Sequence, residues 1–593
     1  MSTPTAPISV PSPQAQRSTP EFVQHERHRD SVAAVRIGFW GGGLLLAVAQ
    51  AWTFRYQVTA DSISYLDMSD GVFPGSDWHR LINGVWSPLY PSLLGVFRRI
   101  FNISASDEIV AGHLLNIAFF LFAFICFEFF LNTAVKKISA RDEVSAQAGL
   151  TAPFPRWAYL SVGYALFLWA SIAEISLRDL RADMLMSGFV YLTVGLLIRM
   201  QGHAARWRDY AALGVVLGIG VLAKEPFLPI GLLVLAATLF IVEDWRPALK
   251  MAAVSLAMVF LIGSLYFVPL SLARGRFTLG ESGRYNYLVH VNKARPTWYL
   301  QNVGSARGSF LHPAEKIFSA PPAYAFPRAP LVTHPLRFDP SEWIAGARPR
   351  FILKRQIIRM IPNVLDLAEL LLELGLVVVA IGGLAFVSWR RRVLLAAVGR
   401  TWPICLIGLA GCALYVPVHI ESRYVAEFLA LFVFGLLLSF KVPQSVSRGL
   451  VVAFTIVIVA SLLLPLTAKA YARYFEYARL PDADAQAAAE LARLGINPAD
   501  KVARISPKVI DLGIERISRT EVIAEVDFER AQEFWAAPLV TQREILDLFA
   551  SRGAKVVIAT LPNIGAENSS DWTHLGSTQY WVWLPEKNSV ASQ

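Results

Sequence analysis

The feature that most constrains this chain is a series of long apolar segments that carry almost no charge. Of its 593 residues, 54% are hydrophobic and only 17% are charged, whereas a soluble protein has about 25% charged residues. About 20 consecutive apolar residues are enough to cross a bilayer as a helix. We therefore predict a polytopic α-helical membrane protein with about eleven transmembrane helices, near residues 34–54, 109–131, 157–175, 183–200, 210–223, 226–242, 251–270, 364–388, 401–418, 425–440 and 449–468.

The short connecting loops predict how these helices are oriented. Lys and Arg cluster in alternate loops, for example at 136–141, 390–400 and 441–448, on the same side as the N-terminus. Because such clusters stay in the cytoplasm, we expect a cytoplasmic N-terminus and, after an odd number of spans, an extracytoplasmic C-terminus. The expected location is the inner (plasma) membrane of a bacterium, with the C-terminal domain in the periplasm.

Composition divides the chain into five parts. Residues 1–33 are rich in Pro, Ser and Thr, which predicts a disordered cytoplasmic tail. Residues 34–270 and 363–468 are expected to form two transmembrane modules, separated by a long periplasmic loop at 271–362. Residues 469–593 alternate helical patterns with short apolar strands, namely KVARIS, EVIAEV, AKVVIAT and TQYWVWL. This alternation predicts a small periplasmic α/β domain.

An acidic segment follows the first predicted span. The sequence TADSISYLDMSDG places Asp61, Asp67 and Asp70 in a predicted outer loop, ahead of His79. A charged side chain at the centre of a bilayer costs roughly 2.5–3.5 kcal/mol, so a cluster of carboxylates beside the membrane indicates a site. The alternative interpretation is a solvated connector.

Three further polar constellations lie at predicted outer ends of spans. They are Arg178, Asp179, Arg181 and Asp183 at the fourth span, Lys224 and Glu225 in a tight turn, and His419, Glu421, Arg423 and Tyr424 in a six-residue turn. The two acids of the first group are four residues apart, which would place them on one helix face; helix capping is the alternative. An ion-paired hairpin is the alternative for the second group. The arginine of the third group suits a phosphate, because a guanidinium binds oxyanions through two donors.

The long predicted loop is strongly basic. Between Arg274 and Arg359 there are fourteen Lys or Arg residues and only four acids. A basic outer loop beside acidic candidates indicates an anionic substrate, with attraction to anionic lipid head groups as the competing explanation. Nucleic acid is not an expected partner on this side of a membrane.

These parts suit the transfer of a sugar from a lipid-linked phosphate to a hydroxyl group. The reaction needs a carboxylate that takes the acceptor proton and cations that stabilise the departing phosphate. The candidate catalytic residues are Asp61, Asp183 and Asp179, and the candidate substrate- or phosphate-binding residues are Arg181, Arg178, Lys224, His419, Glu421, Arg423, Tyr424, Tyr65 and His79. No metal ligand is predicted, since the three cysteines lie inside predicted spans.

The order of these motifs resembles that of the GT-C glycosyltransferases, in the branch of the protein O-mannosyltransferases and the lipid A aminoarabinose transferase. The resemblance covers roughly residues 34–468 and rests on four motifs: Asp61 with Tyr65 ahead of the segment WSPLYP, Arg181 with Asp183, the segment Leu222-Ala223-Lys224, and the segment Glu421-Ser422-Arg423-Tyr424. It implies an inverting transferase that uses a polyprenyl-phosphate sugar, with Asp61 as base. It also implies that residues 85–101 form a helix along the membrane surface.

The chain departs from this group at two positions. Ser62 stands where protein O-mannosyltransferases have Glu, and Glu225 follows Lys224 where many bacterial members have Gly. The first departure argues against a protein acceptor, and the second leaves the role of Lys224 open. The expected acceptor hydroxyl belongs to an envelope glycan, a lipid or a protein, and a divalent cation at the acidic cluster is left open. The alternatives from other classes are a lipid-linked glycan ligase or polymerase and a secondary transporter or flippase. Transporters bury charges near the bilayer midplane and often have repeated halves, whereas here the charges lie at one face.

Overall fold

The chain is mainly helical, with one small mixed sheet. A computed structural model describes residues 20–147, 155–294, 311–312, 314–390, 394–439, 447–477, 482–507, 512–560 and 571–585. The helices are α1 (Pro20–Thr53), α2 (Ala60–Ser69), α3 (Leu89–Ile100), α4 (Glu108–Gln147), α5 (Arg156–Leu168), α6 (Asp183–Met200), α7 (Trp207–Ala223), α8 (Phe227–Ile241), α9 (Trp245–Arg274), α10 (Ser282–Asn286), α11 (Pro335–Phe338), α12 (Pro340–Trp343), α13 (Leu353–Glu373), α14 (Gly375–Arg390), α15 (Leu394–Tyr415), α16 (Ser422–Ser439), α17 (Arg448–Tyr477), α18 (Ala483–Arg493), α19 (Gly513–Ser518), α20 (Ala531–Ala536) and α21 (Leu539–Ser551). The strands are β1 (Glu315–Ser319), β2 (Pro322–Ala325), β3 (Lys501–Ile505), β4 (Glu521–Val526), β5 (Val556–Thr560), β6 (Thr573–His574) and β7 (Tyr580–Trp583).

Apolar helices account for the predicted spans. Among the described residues, seven helices are long and apolar enough to cross a membrane, and α8, α14 and α15 contain shorter apolar stretches. With α7, they match the eleven predicted segments. One boundary is corrected: the predicted span 364–388 is interrupted, since α13 ends at Glu373 and α14 begins at Gly375. The chain is a polytopic α-helical membrane protein.

Small residues let the helices of the first module pack closely. Gly188 and Gly195 lie seven residues apart on α6, so they face the same neighbour, α4. A Cβ atom at Gly188 would lie 2.5 Å from the Phe122 ring, and one at Gly195 would lie 2.6 Å from the Phe129 ring. Larger residues would push the two helices apart, which is the reason that small residues favour helix contacts in membranes.

The sheet extends beyond the part of the chain expected to form it. Its strand order is β1-β2-β4-β3-β5-β7-β6, with β3 parallel to β4 and β5. Strands β3, β4, β5 and β7 coincide with the predicted apolar segments. Strands β1 and β2, however, come from the predicted loop 271–362 and join the sheet through antiparallel pairing of β2 with β4. The α/β fold therefore combines the tail 469–593 with part of that loop.

Two segments expected to lack regular structure are helical. Residues 1–19 of the predicted disordered tail lie outside the described residues, but α1 begins at Pro20. The acidic segment after the first span forms α2 instead of a loop. The Thr59 side chain caps this helix by accepting a hydrogen bond from the Ser62 backbone N–H, and Asp61 lies in the first turn. Both features stabilise a helix N-terminus.

Candidate functional site

Residues from all four predicted constellations line one cavity of about 340 Å³. They stand at helix ends: Asp61 lies in the first turn of α2, Asp183 begins α6, Lys224 follows α7, and Arg423 lies in the first turn of α16. Helix ends are where charged side chains can gather without crossing apolar packing. The remaining predicted residues on the wall are Tyr65, Arg181, His419 and Tyr424.

Asp183 is buried in the cavity wall, where its carboxylate binds two cations. Lys224 Nζ lies 2.5 Å from its Oδ1 atom, and Arg423 Nη1 lies 3.2 Å from its Oδ2 atom. Its side chain is only 6% exposed, so the carboxylate requires these partners. Because each oxygen binds a cation, Asp183 fixes Lys224 and Arg423 in position.

Asp61 has a different environment. Its Oδ2 atom lies 3.5 Å from Arg181 Nε and 3.8 Å from Arg423 Nη2. These distances are too long for strong hydrogen bonds, and the side chain remains 28% exposed. The Asp61 carboxylate therefore faces the cavity between two guanidinium groups and keeps lone pairs available for a ligand.

The turn before α16 holds Arg423 in place. Glu421 accepts a hydrogen bond of 2.6 Å from Arg423 Nε and lies 3.3 Å from His419 Nε2. Burial would raise the pKa of Glu421, but the hydrogen bonds from His419 and Arg423 hold it well below its usual range. Tyr424 stacks on both cations, with Lys224 Nζ 4.3 Å and the Arg423 guanidinium 4.6 Å from its ring centre. These contacts leave Glu421 beside the cavity as a support for Arg423.

Aromatic residues close another side of the cavity. Tyr65 packs against Trp86 and Tyr90, at 5.5 and 4.9 Å between ring centres. Burial raises the pKa of Tyr65, and the nearby carboxylates of Asp183 and Asp61 raise it further. Tyr65 therefore acts only as a neutral hydroxyl. Trp86 and Ser87 of the WSPLYP segment also line the cavity, and helix α3 follows directly, within the predicted surface helix 85–101.

Part of the long loop forms a wall that the sequence did not indicate. The Glu225 carboxylate accepts hydrogen bonds from the backbone N–H groups of Ser282, at 2.7 Å, and Gly283, at 3.2 Å. Burial raises the pKa of Glu225 to about 7, although these hydrogen bonds lower it. The pairing brings Tyr285 and Asn286 to the cavity. The alternative of a Lys224–Glu225 ion pair is wrong, because Lys224 binds Asp183.

Four of the predicted site residues do not line this cavity, and Glu421, which supports Arg423 from behind it, is one of them. His79 is 64% exposed and binds its neighbour Asp77. Arg178 donates to the Gln57 side chain at 3.1 Å and lines a different cavity. Asp179 binds Arg181 at 3.1 Å but precedes α6, so it does not share a helix face with Asp183. The helix begins only at Asp183, and the residues before it follow an irregular path.

Asp67 and Asp70 serve another contact. Arg516 of α19, which is 1% exposed, donates to Asp67 at 2.6 Å and to Asp70 at 2.7 Å. It also donates to Glu108 at 2.6 Å. Arg98 and Arg519 each bind two of these acids, Asp70 and Glu108. We call these six residues the Arg516 network: Arg98, Arg516, Arg519, Asp67, Asp70 and Glu108. It ties the α/β fold to the helix that carries Asp61.

The acidic side chains do not suit a divalent cation. Such an ion needs several carboxylate oxygens that are not already paired, whereas both oxygens of Asp183 bind protein cations and Asp179 binds Arg181. Among the residues that the structure describes, no group of three or more His, Cys, Asp or Glu side chains could hold a metal.

Comparisons with known proteins found similarity only at the level of solved structures. No family model matches the chain, and no curated protein matches it. ArnT from Cupriavidus metallidurans is 13% identical in its apo state, with a TM-score of 0.39 over 93% of this chain and 98% of that one. Its structure bound to undecaprenyl phosphate is 11% identical, with a TM-score of 0.40 over 92% and 97%.

An archaeal enzyme is similar at the same level. The Archaeoglobus fulgidus oligosaccharyltransferase, tethered to an acceptor peptide, is 11% identical, with a TM-score of 0.42 over 91% of this chain and 69% of that one. Because these scores and identities are low, the function proposed below rests on the side chains of the site.

Proposed function

We propose that this protein is a membrane glycosyltransferase that moves a sugar from a polyprenyl-phosphate donor to an acceptor hydroxyl, with inversion, at the periplasmic face. One observation carries the proposal. The Asp61 carboxylate faces a cavity with lone pairs available, 3.5 and 3.8 Å from two guanidinium groups. A base and an oxyanion site in one cavity are the two elements that displacement of a phosphate by an alcohol requires.

The reaction follows from this arrangement. The acceptor oxygen attacks the anomeric carbon while Asp61 takes the hydroxyl proton. The bond between the anomeric carbon and the phosphate oxygen breaks, and the electron pair leaves with the lipid phosphate. Arg423, Arg181 and Lys224 stabilise that negative charge. A single displacement inverts the configuration of the sugar, and the products are the glycosylated acceptor and a polyprenyl phosphate.

Asp61 suits the role of base better than the other acidic candidates. Asp183 has a cation on each oxygen, and Asp179 binds Arg181 at 3.1 Å. A proton transferred to either residue would break a buried ion pair. Asp61 has no such short contact among the described residues, so it can take a proton without disrupting the cavity. In this proposal the cations of the protein do the work that a divalent metal ion would otherwise do.

The size and position of the cavity fit such a donor. Its volume of about 340 Å³ lies at the lower end of the roughly 300–1,000 Å³ of small-molecule sites. Its walls are the ends of helices α6, α7, α8, α15 and α16, so a lipid chain can remain among apolar helices while its head group reaches the charges. The basic character of the long loop favours the approach of an anionic donor.

Replacing Asp61 by Asn tests the proposal. Purified protein in lipid nanodiscs would be given a polyprenyl-phosphate sugar and an acceptor extract, and sugar transfer would be measured separately from donor binding. Loss of a general base lowers turnover by about 10²–10⁴-fold, with donor binding retained. Asp107→Asn is the matched control, because Asp107 is exposed and its carboxylate accepts a hydrogen bond from the nearby Ser104.

Two results would contradict the proposal. Turnover in Asp61→Asn within a few-fold of wild type would exclude Asp61 as base and favour a ligase or polymerase. Movement of the lipid across the bilayer without sugar transfer would favour a transporter or flippase. Analysis of lipid-linked and envelope glycans in a deletion strain would identify the sugar, because the unused donor should accumulate.

A further inference from the structure

Arg178 leads to a second cavity, separate from the proposed site. This cavity has a volume of about 270 Å³. Its walls come from the end of α1, the turn after α5, the end of α13 and the outer part of α17. Within the described residues, Arg178 makes one side-chain hydrogen bond, from Nε to Gln57. Both of its Nη groups therefore remain available to a ligand.

The backbone beside this cavity is unusual at two successive places. Residues Trp169–Ile175 form a π-helical turn after α5, and such turns occur frequently at functional sites. Ser176 follows with φ 59° and ψ 159°, a region that is essentially limited to glycine and is strained for other residues. The turn directs Glu174 and Ser176 into the cavity wall. A strained conformation of this kind persists only where surrounding contacts hold it, and it is common at binding sites.

Positive charge dominates the cavity. Arg178, Lys469 and Arg473 line it, and the last two lie four residues apart on one face of α17. The acids on the wall are Glu174 and Glu373, whose carboxyl groups are in hydrogen-bond contact with each other. Three positive side chains therefore face two acids in this cavity. The remaining charge suits an oxyanion.

Exposed aromatic residues mark the level of this cavity in the membrane. Trp52, near the end of α1, is 56% exposed, and Tyr471 and Phe475, on the last turns of α17, are 68% and 51% exposed. Exposed Trp and Tyr concentrate at the boundary between apolar chains and head groups. The second cavity therefore opens beside lipid head groups, with cations at its rim.

We propose that the second cavity binds the phosphate-bearing head group of an anionic membrane lipid, which enters between α1 and α17. The three cations bind the phosphate, and the Glu174–Glu373 pair accepts hydrogen bonds from hydroxyl groups of the same head group. A Glu174–Ser422 contact connects this cavity to the residue before Arg423. This binding can be measured without turnover, so its test does not depend on the transferase proposal.

Native mass spectrometry of the full-length protein released from detergent tests this binding. The probes are phosphatidic acid, phosphatidylcholine and inorganic phosphate. Wild-type protein should retain phosphatidic acid in preference to phosphatidylcholine. Each exposed cation near an anionic lipid contributes about 1 kcal/mol, so Lys469→Ala with Arg473→Ala should weaken retention by about 25-fold. Arg246→Ala, an exposed arginine beside Trp245, is the matched control and should change nothing.

A second variant separates a cavity from a diffuse charged surface. Ala470 lines the cavity on α17, and Ala470→Phe fills the cavity while leaving every charge in place. This variant should lose phosphatidic acid as the double variant does. Equal retention of the lipid in Ala470→Phe and wild type would overturn the proposal. Binding of inorganic phosphate as tight as that of phosphatidic acid would overturn the assignment to a membrane lipid.

Discussion

Replacing Arg516 by Met tests whether the α/β fold holds the helix that carries Asp61. Arg516 is 1% exposed and binds Asp67, Asp70 and Glu108 at 2.6–2.7 Å. Thr333 of the long loop also donates to Asp67, at 2.7 Å. Through these contacts the far end of α2 is fixed by residues hundreds of positions away in the chain. Methionine has a similar volume but carries no charge.

The magnitude follows from the burial of the acids. The Arg516 network contains three cations and three acids, so removal of Arg516 leaves one buried negative charge without compensation. Breaking a buried ion pair by removing one partner costs about 3–5 kcal/mol. Burial raises the pKa of Asp67 even with Arg516 beside it, so protonation can relieve part of the penalty. The loss should therefore be smaller near pH 5 than at pH 8.

Hydrogen exchange followed by mass spectrometry measures this effect locally, because amide exchange reports the free energy of local opening. A cost of about 3–5 kcal/mol corresponds to about 10²–10⁴-fold faster exchange, expected for the amides of α2. Arg530→Met is the matched control. Arg530 is an arginine of the same α/β fold in an exposed pair with Glu533, and exposed pairs contribute at most about 1 kcal/mol.

A double variant identifies the cause of the change. Adding Asp67→Asn to Arg516→Met removes the uncompensated negative charge, so the second change should restore part of the protection, with a coupling above about 0.5 kcal/mol. Exchange of α2 within threefold of wild type in Arg516→Met would refute the reasoning. So would equal losses in Arg516→Met and Arg530→Met.

The loop wall around Glu225 should affect donor binding, whereas His79 should not. Glu225 is neutral below its pKa of about 7 and negative above it, where it repels an anionic donor in the same cavity. The KM for the donor should therefore rise above pH 7 in wild type but not in Glu225→Gln. Titration of His290 should not contribute, because burial lowers its pKa to about 4. Gly280→Ala would place a Cβ atom 2.3 Å from the Glu225 carboxyl group, which should displace the loop wall and raise the KM several-fold. Gly75→Ala is the matched control, because Gly75 also has a positive φ but its Cβ would meet nothing within 4 Å, so the KM should stay unchanged. His79→Ala should leave both kcat and KM unchanged in the same transfer assay, since His79 is exposed and its ring contacts Asp77 and Trp78 away from the cavity.

The sequence was sufficient for features that depend on local pattern. Apolar runs predicted the helices of the membrane part, and alternating helix and strand patterns predicted β3, β4, β5 and β7. It also indicated the four polar constellations, because charged residues at the ends of apolar helices are unfavourable without a purpose. The contribution of β1 and β2 to the sheet was not predictable, since their pairing with β4 joins segments about two hundred residues apart.

Only the tertiary structure shows that the carboxylates of the acidic segment after the first span belong to two different environments. As a loop, TADSISYLDMSDG would bring Asp61, Asp67 and Asp70 to one site. As a helix it turns by about 100° per residue, so Asp61 faces the cavity while Asp67 points elsewhere and meets Arg516. The residues that complete each environment, Arg423 for Asp61 and Arg516 for Asp67, lie more than 350 positions away. Local sequence determines that a carboxylate near a membrane needs a partner, but the folded chain determines which partner it has and therefore which carboxylate remains free to react.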